Sequence, residues 1–293
     1  MKVRILTALV LLCILVPVLI FSGTVAFPFV AALFCVVAVG ELQACLGTLK
    51  KLYISIPACL LAALLPIGTL LAGEIGEGLS VATKSPNHAA MYLLFFSAVF
   101  VIYMFYLFAA AVFCRGSLSF SEVAASFVTT FYVTLAFTAL VLLRFGENGQ
   151  YYYLLCFLGA WITDSFAYFT GFFLGRHKLI PEISPKKTIE GSVGGILFCM
   201  ASYLVFGLVV SHLTGSTPNY LVLACLGLLV SVLAQIGDLI ASLIKREHGV
   251  KDYGRILPGH GGVMDRFDSV IATAPLLLIV CTLDSLLPIH LLL

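Results

Sequence analysis

The chain has 293 residues, of which 61% are hydrophobic and only 10% are Asp, Glu, Lys or Arg. A soluble globular protein carries about 25% charged residues, so this composition rules out a disordered chain and argues strongly against a soluble enzyme. The formal net charge of +2 indicates no particular partner. The positions of the charges along the chain are more informative.

Nine apolar segments are long enough to cross a bilayer, which requires about 20 mostly apolar residues. Their approximate limits are 4–22, 27–46, 52–72, 89–114, 124–143, 151–174, 193–213, 219–244 and 269–291. Backbone groups inside lipid must be satisfied within the segment, so each span is predicted to be a helix. We therefore predict an all-α integral membrane protein with about nine transmembrane helices. The first segment is interpreted as a retained helix, since no convincing small-residue cleavage site follows it.

Lysine and arginine are distributed unevenly among the predicted loops. If the N-terminus lies in the cytoplasm, fourteen of these residues fall in inside segments, and only Lys84 and Arg144 fall outside. This bias follows the positive-inside rule and predicts a cytoplasmic N-terminus. We divide the chain into N-terminal transmembrane helices, 1–85, and a C-terminal transmembrane catalytic region, 86–293, with cytoplasmic loops 175–192 and 245–268.

Two inside segments differ from the other loops. They read GRHKLIPEISPKKTIEGSVGG (175–195) and KREHGVKDYGRILPGHGGVMDRFD (245–268), and together they hold nine of the sixteen basic residues and six acidic residues. Glycines, of which the second segment has five, let backbone amides approach a phosphate closely. Basic groups beside carboxylates and glycines favour a site for anionic phosphates and a divalent metal.

Four aspartates indicate where such a metal would bind. Asp164 and Asp238 fall inside predicted spans, while Asp265 and Asp268 lie three residues apart at the entrance of the last span. A charge in mid-membrane costs about 2.5–3.5 kcal/mol even on insertion scales, so Asp164 and Asp238 need a partner, either a metal ion or a basic side chain. Carboxylate oxygens select Mg²⁺ over zinc or copper. The pattern therefore favours metal-assisted phosphoryl or nucleotidyl transfer.

Structural interpretations of the same residues stay open. Asp164 could pair between helices as a structural polar group, and Asp265 with Asp268 could simply favour the dipole at a helix N-terminus. Lys245 and Arg246 could be topology determinants, and His260 could be an ordinary loop residue.

Two further acids are interpreted as structural residues near helix ends. Glu41 lies near an inside end, where its side chain is predicted to snorkel to the interface. Asp284 lies near an outside end.

Residues 242–268 resemble the signature of the phosphatidate cytidylyltransferases, also called CDP-diacylglycerol synthases. The positions that carry the resemblance are Ser242, Lys245, Arg246, Lys251, Asp252, Gly254, Pro258, His260, Gly261, Gly262, Asp265, Arg266 and Asp268. Two upstream segments, DSFAYFTGFFLGRHKL (164–179) and SPKKTIEGSVGG (184–195), are similar to other stretches of the family. The resemblance covers about the C-terminal half, whereas the first 150 residues are similar in length and span count alone.

The resemblance implies an integral membrane enzyme of phospholipid biosynthesis that condenses CTP with phosphatidic acid to CDP-diacylglycerol and pyrophosphate. It also implies a requirement for Mg²⁺, with a second monovalent cation such as K⁺, and a homodimer whose cytosol-facing site opens sideways to lipid. The compact size favours a bacterial inner membrane. We expect CTP, phosphatidic acid, the lipid bilayer and a second copy of the chain as partners, and no nucleic acid.

The resemblance also implies roles for individual residues. The metal ligands would be Asp238, Asp265 and Asp268. The catalytic residues would be Asp164, Lys187, Lys245, Arg246, Lys251, His260 and Arg266. The substrate contacts would be Ser184, Thr188, Glu190, Ser242, Gly261 and Gly262.

Two alternative functions remain at this point. One is another membrane CTP-dependent lipid kinase or transferase. The other is an ion-coupled transporter or channel that uses Asp164 and Asp238 as an ion path. A transporter would favour inverted repeats and broken helices and would not require the 242–268 signature.

Overall fold

A computed structural model describes the chain except for residues 1–12, 14–15, 84–87, 115, 257–258, 260, 288–290 and 293; the side chains of 71–93 and 285–286 are also left out. The described part contains these helices: α1 Ala26–Cys45, α2 Leu52–Thr83, α3 His88–Phe113, α4 Phe120–Phe145, α5 Gly149–Leu174, α6 Ile189–Thr214, α7 Tyr220–Glu247 and α8 Met264–Leu286. A β-hairpin made of β1, Lys178–Ile180, and β2, Ser184–Thr188, separates α5 from α6.

The helices agree with the hydropathy pattern. Within the described residues, eight helices are long and apolar enough to cross a membrane, and they coincide with the second to ninth predicted spans. The prediction of an all-α, multi-pass integral membrane protein is therefore confirmed. The first predicted span, 4–22, lies largely outside the described residues, apart from a helical piece at 16–20 and the 3-10 turn Phe21–Gly23.

Helix limits follow ordinary capping chemistry. Thr188 is the N-cap of α6, because its Oγ1 accepts a hydrogen bond from the Gly191 N–H at 3.1 Å. Asn219 begins α7 in the same way, with its Oδ1 accepting from the Val222 N–H at 3.2 Å. Gly215 ends α6 in the left-handed conformation, at φ 73°, which is open to glycine at little cost. Side-chain capping satisfies N–H groups that a helix cannot pair internally.

The chain divides into two compact units. The first comprises Met1–Val141 with Asp252–Arg266, and the second comprises Leu142–Lys251 with Phe267–Leu293. In the first unit, α1 packs against α2, and α2 packs against α3. Small residues such as Cys35, Ala38 and Ala58 are fully buried there, as expected where helices associate by close packing in lipid. The functional division at residue 85 stays a prediction.

In the second unit, α5, α6 and α7 pack against one another, and glycines set how closely they approach. A Cβ built on Gly191 of α6 would lie 2.6 Å from the Ala167 carbonyl oxygen of α5. A Cβ on Gly227 of α7 would lie 2.9 Å from the Met200 Cα of α6. Real Cβ atoms do not approach backbone so closely, so these helices pack backbone to backbone at both positions.

The β-hairpin between α5 and α6 was not predicted from the sequence. Its strands are antiparallel, with Lys178 opposite Thr188 and Ile180 opposite Ser184, and with an irregularity between these pairs. The strands are only three and five residues long, too short for an alternation of polar and apolar residues to be recognised. Because β2 runs directly into α6, the hairpin holds Lys186 and Lys187 on a defined strand.

Candidate active site

A cavity of about 560 Å³ lies in the second unit and is lined by residues of α5, the hairpin, α6 and α7. Its charged lining consists of two acids and four bases: Asp164, Asp238, Arg176, Lys178, Lys186 and Lys187. Cavities of this volume accommodate small-molecule ligands. Interleaved acids and bases are suited to a ligand that carries phosphates together with a cation.

Lys187 and Asp238 connect the hairpin to α7. The Lys187 Nζ lies 2.6 Å from the Asp238 Oδ2, and the two side chains are 25% and 29% exposed. Nζ also donates to the Gln235 carbonyl oxygen at 3.5 Å, and the Ser242 hydroxyl donates to the Asp238 Oδ1 at 3.4 Å. The pair is therefore partly open to solvent on the cavity side, where a ligand can bind either side chain in place of its partner.

Ser192 and Gln235 fix α6 against α7 at the same wall. The Ser192 hydroxyl donates to the Gln235 Oε1 at 2.5 Å, and the Gln235 Nε2 donates back to the Ser192 carbonyl at 3.2 Å. The Gln235 Nε2 also donates to the Ser231 hydroxyl at 3.4 Å. This reciprocal pair orients the α7 face that carries Asp238. In the sequence, spacings of three and four put Gln235 on one helical stripe with Asp238 and Ser242, whereas no comparable pattern indicates Ser192.

A third acid of this unit belongs to α8. The negative charges of Asp238 and Asp164 act on Asp268, and the buried Lys245 opposes them. Asp164 in turn accepts hydrogen bonds from the buried Ser269 hydroxyl at 3.1 and 3.3 Å. Acids from α5, α7 and α8 therefore interact electrostatically, and their mutual repulsion favours a cation among them.

The donor chemistry of these acids fits a hard cation such as Mg²⁺, which takes carboxylate oxygens. Among the described residues, however, no set of three or more His, Cys, Asp or Glu side chains is gathered closely enough to form a metal site by itself. Water molecules and substrate phosphates commonly complete the coordination of Mg²⁺, so a sparse protein donor set agrees with this ion.

In the first unit, Asp265 organises the glycine-rich turn that precedes α8. Its Oδ2 accepts hydrogen bonds from the N–H groups of Tyr253, at 2.8 Å, and Gly262, at 3.0 Å. Gly261 has φ +82°, and a Cβ on it would lie 2.7 Å from the Asp265 Oδ2. The turn therefore requires glycine at this position for both conformation and space.

Glu41 behaves differently from the sequence interpretation. It is only 7% exposed, and its carboxylate accepts hydrogen bonds from the N–H groups of Val263, at 3.1 Å, and Met264, at 2.9 Å. The prediction that Glu41 snorkels to the interface is wrong. The N–H groups at the start of α8 have no partner inside the helix and hold the carboxylate in the protein instead.

The comparisons with known proteins agree with this chemistry. The model of the cytidylyltransferase family matches residues 2–284. The chain belongs to this family. The phosphatidate cytidylyltransferase of Staphylococcus haemolyticus is 37% identical over 278 residues, covering 94% of this chain and 97% of the relative. The proteins of the same name from Staphylococcus aureus, 36% identical, and Staphylococcus epidermidis, 37% identical, have the same coverage. The family resemblance inferred from residues 242–268 is confirmed, and it extends through the N-terminal half.

Three of the predicted substrate contacts lie around the hairpin. Thr188 lines the cavity and caps α6. Glu190 instead holds the turn after α5, because its carboxylate accepts from the N–H groups of Arg176 and His177 and lies 2.6 Å from the His177 Nδ1. Ser184 opens β2 and pairs with Ile180. Of the three, Thr188 is the residue on the cavity wall.

The predicted basic residues of the signature divide by exposure. Lys245 is buried, whereas Arg246, Lys251 and Arg266 are exposed, and the Arg246 Nη1 donates to the Val250 carbonyl at 3.3 Å. His260 lies outside the described residues. The charge of the buried Lys245 opposes the negative charges that act on Asp268, and its role in the reaction stays a prediction.

Two residues that the sequence had left aside contribute to the site. Lys178 and Lys186 are two of the fourteen basic residues in the predicted inside segments, and both line the cavity together with Arg176. The signal that could have found them is the density of basic residues in GRHKLIPEISPKK, since topology alone does not require four bases in twelve residues.

Proposed function

We propose that the cavity in the second unit binds the phosphates of CTP and phosphatidic acid and is the place of the reaction. The activity of this chain is that of a phosphatidate cytidylyltransferase, which condenses the two substrates to CDP-diacylglycerol and pyrophosphate. The observation that carries the assignment to this cavity is the Lys187–Asp238 contact within a ring of basic side chains.

The reaction is a displacement at phosphorus. An oxygen of the phosphatidic acid phosphate attacks the α-phosphorus of CTP, and a new phosphoanhydride bond forms. The bond between the α-phosphorus and the oxygen bridging to the β-phosphorus breaks, and pyrophosphate leaves with that electron pair. A phosphomonoester has a second pKa of about 6, so the nucleophile is already an anion near neutral pH and no strong general base is needed.

The main obstacle is repulsion between two polyanions. Lys186, Lys187 and Arg176 are suited to hold phosphate oxygens, because they line the same cavity and basic side chains form strong charge-assisted hydrogen bonds to phosphate. Catalysis of this kind consists mostly of positioning and charge stabilisation. When no substrate is bound, the two acids offset part of the positive charge of the four bases, which gives a reason for both kinds of residue in one cavity.

We propose Asp238, Asp265 and Asp268 as the Mg²⁺ ligands, with Asp164 supporting them through Ser269. When bound, the ion supplies charge neutralisation and polarises a phosphoryl oxygen. A second, monovalent cation such as K⁺ stays a prediction. These roles agree with the oxygen donor set, and chelation followed by metal replacement in the purified enzyme tests them.

The location and assembly extend the same proposal. We expect a homodimer in a bacterial inner membrane with the cavity on the cytoplasmic side, where CTP is available; the relatives named above are bacterial. On α5, Tyr168 and Phe172 line the cavity and are largely exposed. We expect this aromatic surface to face lipid and to admit the acyl chains from the bilayer.

Isotope tracing tests the reaction directly. Purified enzyme in vesicles that contain phosphatidic acid and Mg²⁺ is given CTP labelled either in the α-phosphate or in the γ-phosphate. We expect α-label to enter the lipid and γ-label to appear in pyrophosphate. Transfer of γ-label to the lipid would identify a lipid kinase, and ion flux without CTP turnover would identify a transporter; either result would overturn the proposal.

A further inference from the structure

Glu41 makes close contacts with the backbone that precedes α8 in the first unit. Besides accepting from the Val263 and Met264 N–H groups, its carboxylate faces Gly254 and Gly262. A Cβ on Gly254 would lie 2.2 Å from the Glu41 Oε1, and a Cβ on Gly262 would lie 2.3 Å from both carboxylate oxygens. One buried carboxylate from α1 therefore contacts the glycine-rich segment at several points.

The chemistry of these contacts favours a charged carboxylate over any neutral replacement. Two N–H donors at a helix start point at it, and the positive end of the helix dipole adds to their attraction. A glutamine in the same place could accept with its oxygen, but its NH₂ group would face the second N–H donor. Hydrogen bonds to a charged acceptor are also shorter and stronger than neutral ones.

Glu41 and Asp265 hold the same turn from its two sides. Asp265 accepts from Tyr253 and Gly262, while Glu41 accepts from the next two residues, Val263 and Met264. Together they fix four backbone N–H groups around the start of α8. The orientation of the Asp265 carboxylate therefore depends on a residue more than two hundred positions earlier in the chain.

We propose that Glu41 is a positioning residue for nucleotidyl transfer, which fixes the backbone at 262–264 so that Asp265 is presented in one arrangement to the metal. This inference rests on the proposed function, in which Asp265 is a Mg²⁺ ligand. Glu41 acts through the turn and not through contact with substrate. Loss of its charge loosens the turn and weakens the response to Mg²⁺ more than it affects folding.

The test compares Glu41→Gln with the wild-type full-length chain in vesicles. We expect kcat/KM for CTP to fall on the order of 10- to 100-fold, because displacement of a catalytic group by about 1 Å costs that much. We also expect the half-activating Mg²⁺ concentration to rise several-fold and the rise in Tm on adding Mg²⁺ to shrink, since a ligand stabilises the state that it binds.

Glu122→Gln is the matched control. Glu122 is also a carboxylate near the end of a transmembrane helix, in the first turn of α4, whereas Glu41 lies near the last turn of α1; the partners of Glu122 are Lys51 and the Ser119 N–H. The Glu122→Gln substitution removes the same charge without changing any contact of the segment 252–266. The Mg²⁺ response is therefore expected to stay at the wild-type value, even if Tm falls. A merely structural Glu41 would behave like Glu122.

A second variant approaches the same contact from the glycine side. Gly254→Ala places a methyl group against the Glu41 carboxylate and should raise the half-activating Mg²⁺ concentration as Glu41→Gln does. If Glu41→Gln does not insert into the membrane, Gly254→Ala still tests whether the contact affects the Mg²⁺ response. A wild-type Mg²⁺ response in the folded variant would overturn the inference. Absence of turnover in the wild type would instead contradict the proposed function, and the Mg²⁺-dependent Tm shift would still test Glu41.

Discussion

Lys187 and Asp238 illustrate how single residues prepare the cavity for anionic substrates. Their charged atoms are 2.6 Å apart, but each side chain is about one-quarter exposed. Ion pairs open to solvent contribute only about 0–1 kcal/mol to stability. The pair is therefore weak enough for Lys187 to turn to an incoming phosphate and for Asp238 to turn to a cation.

The first prediction concerns the charge of Asp238. Asp238→Asn keeps the shape but removes the negative charge, so we expect turnover to fall by at least about 100-fold, the size of effect seen when one electrostatic contact is removed from an active site. The variant should still insert and purify as the wild type does. Initial rates at saturating Mg²⁺ measure the effect.

Asp284→Asn provides the control for Asp238→Asn. Asp284 is also an acid of a transmembrane helix, but it accepts from the Tyr152 hydroxyl at 2.5 Å and the Leu291 N–H at 3.1 Å. These contacts agree with the structural interpretation from the sequence, so turnover should change far less. Mg²⁺-dependent turnover that survives in Asp238→Asn would remove Asp238 from the metal site.

The second prediction separates charge from geometry at Lys187. Lys187→Ala should lower kcat/KM for CTP by about 10- to 100-fold, because a phosphate contact is lost and Asp238 loses its partner. Lys187→Arg keeps the charge in a wider planar group and should retain an intermediate rate. The exposed Lys50→Ala is the control and should match the wild type. Equal kinetics of Lys187→Ala and Lys50→Ala would contradict the assignment.

At the scale of elements, the contact between α5 and α6 determines the shape of the cavity. Gly171 in α5 and Gly175, the residue that follows α5, both lie against Thr188. Gly191 in α6 lies against Ala167 in α5. The sequence places Gly171 and Gly175 four residues apart, and small residues at this spacing permit close helix packing. It did not indicate that a hairpin between the helices would bring three lysines to the same cavity.

The third prediction tests this packing. Gly191→Ala places a methyl group 2.6 Å from a backbone oxygen, so α5 and α6 must separate. Overpacking of this kind costs about 1–3 kcal/mol, and Tm and turnover should both fall. Gly40→Ala in α1 is the control, since a Cβ there meets nothing within 4 Å, and alanine is about 1 kcal/mol better than glycine inside a helix. A Tm for Gly191→Ala at or above that of Gly40→Ala would contradict the packing argument.

At the scale of the whole molecule, the charge bias of the loops predicts the orientation in the membrane. The positive-inside rule places the hairpin in the cytoplasm and the short connection between α6 and α7 outside. Glu182, in the hairpin, and Thr217, in that connection, are both exposed. They are therefore suited to report the two sides of the membrane.

The fourth prediction uses these two positions. The unsubstituted chain has nine cysteines and sets the background labelling. In intact cells, a membrane-impermeant thiol reagent should label Thr217→Cys above this background. Glu182→Cys should be labelled no more than the background. In inverted vesicles the pattern should reverse. Labelling of Glu182→Cys from outside would overturn the orientation and with it the cytoplasmic location of the site.

The sequence by itself determined the membrane helices, because each span must satisfy its backbone locally and bury apolar surface in lipid, and hydropathy records both requirements. It also determined the family, through the closely spaced residues of 242–268. Only the tertiary structure assigned Glu41 to the start of α8 and Lys186 to the cavity wall. Both residues carry charges whose partners come from distant parts of the chain, and the energy of a charge depends on its surroundings, which no local pattern specifies.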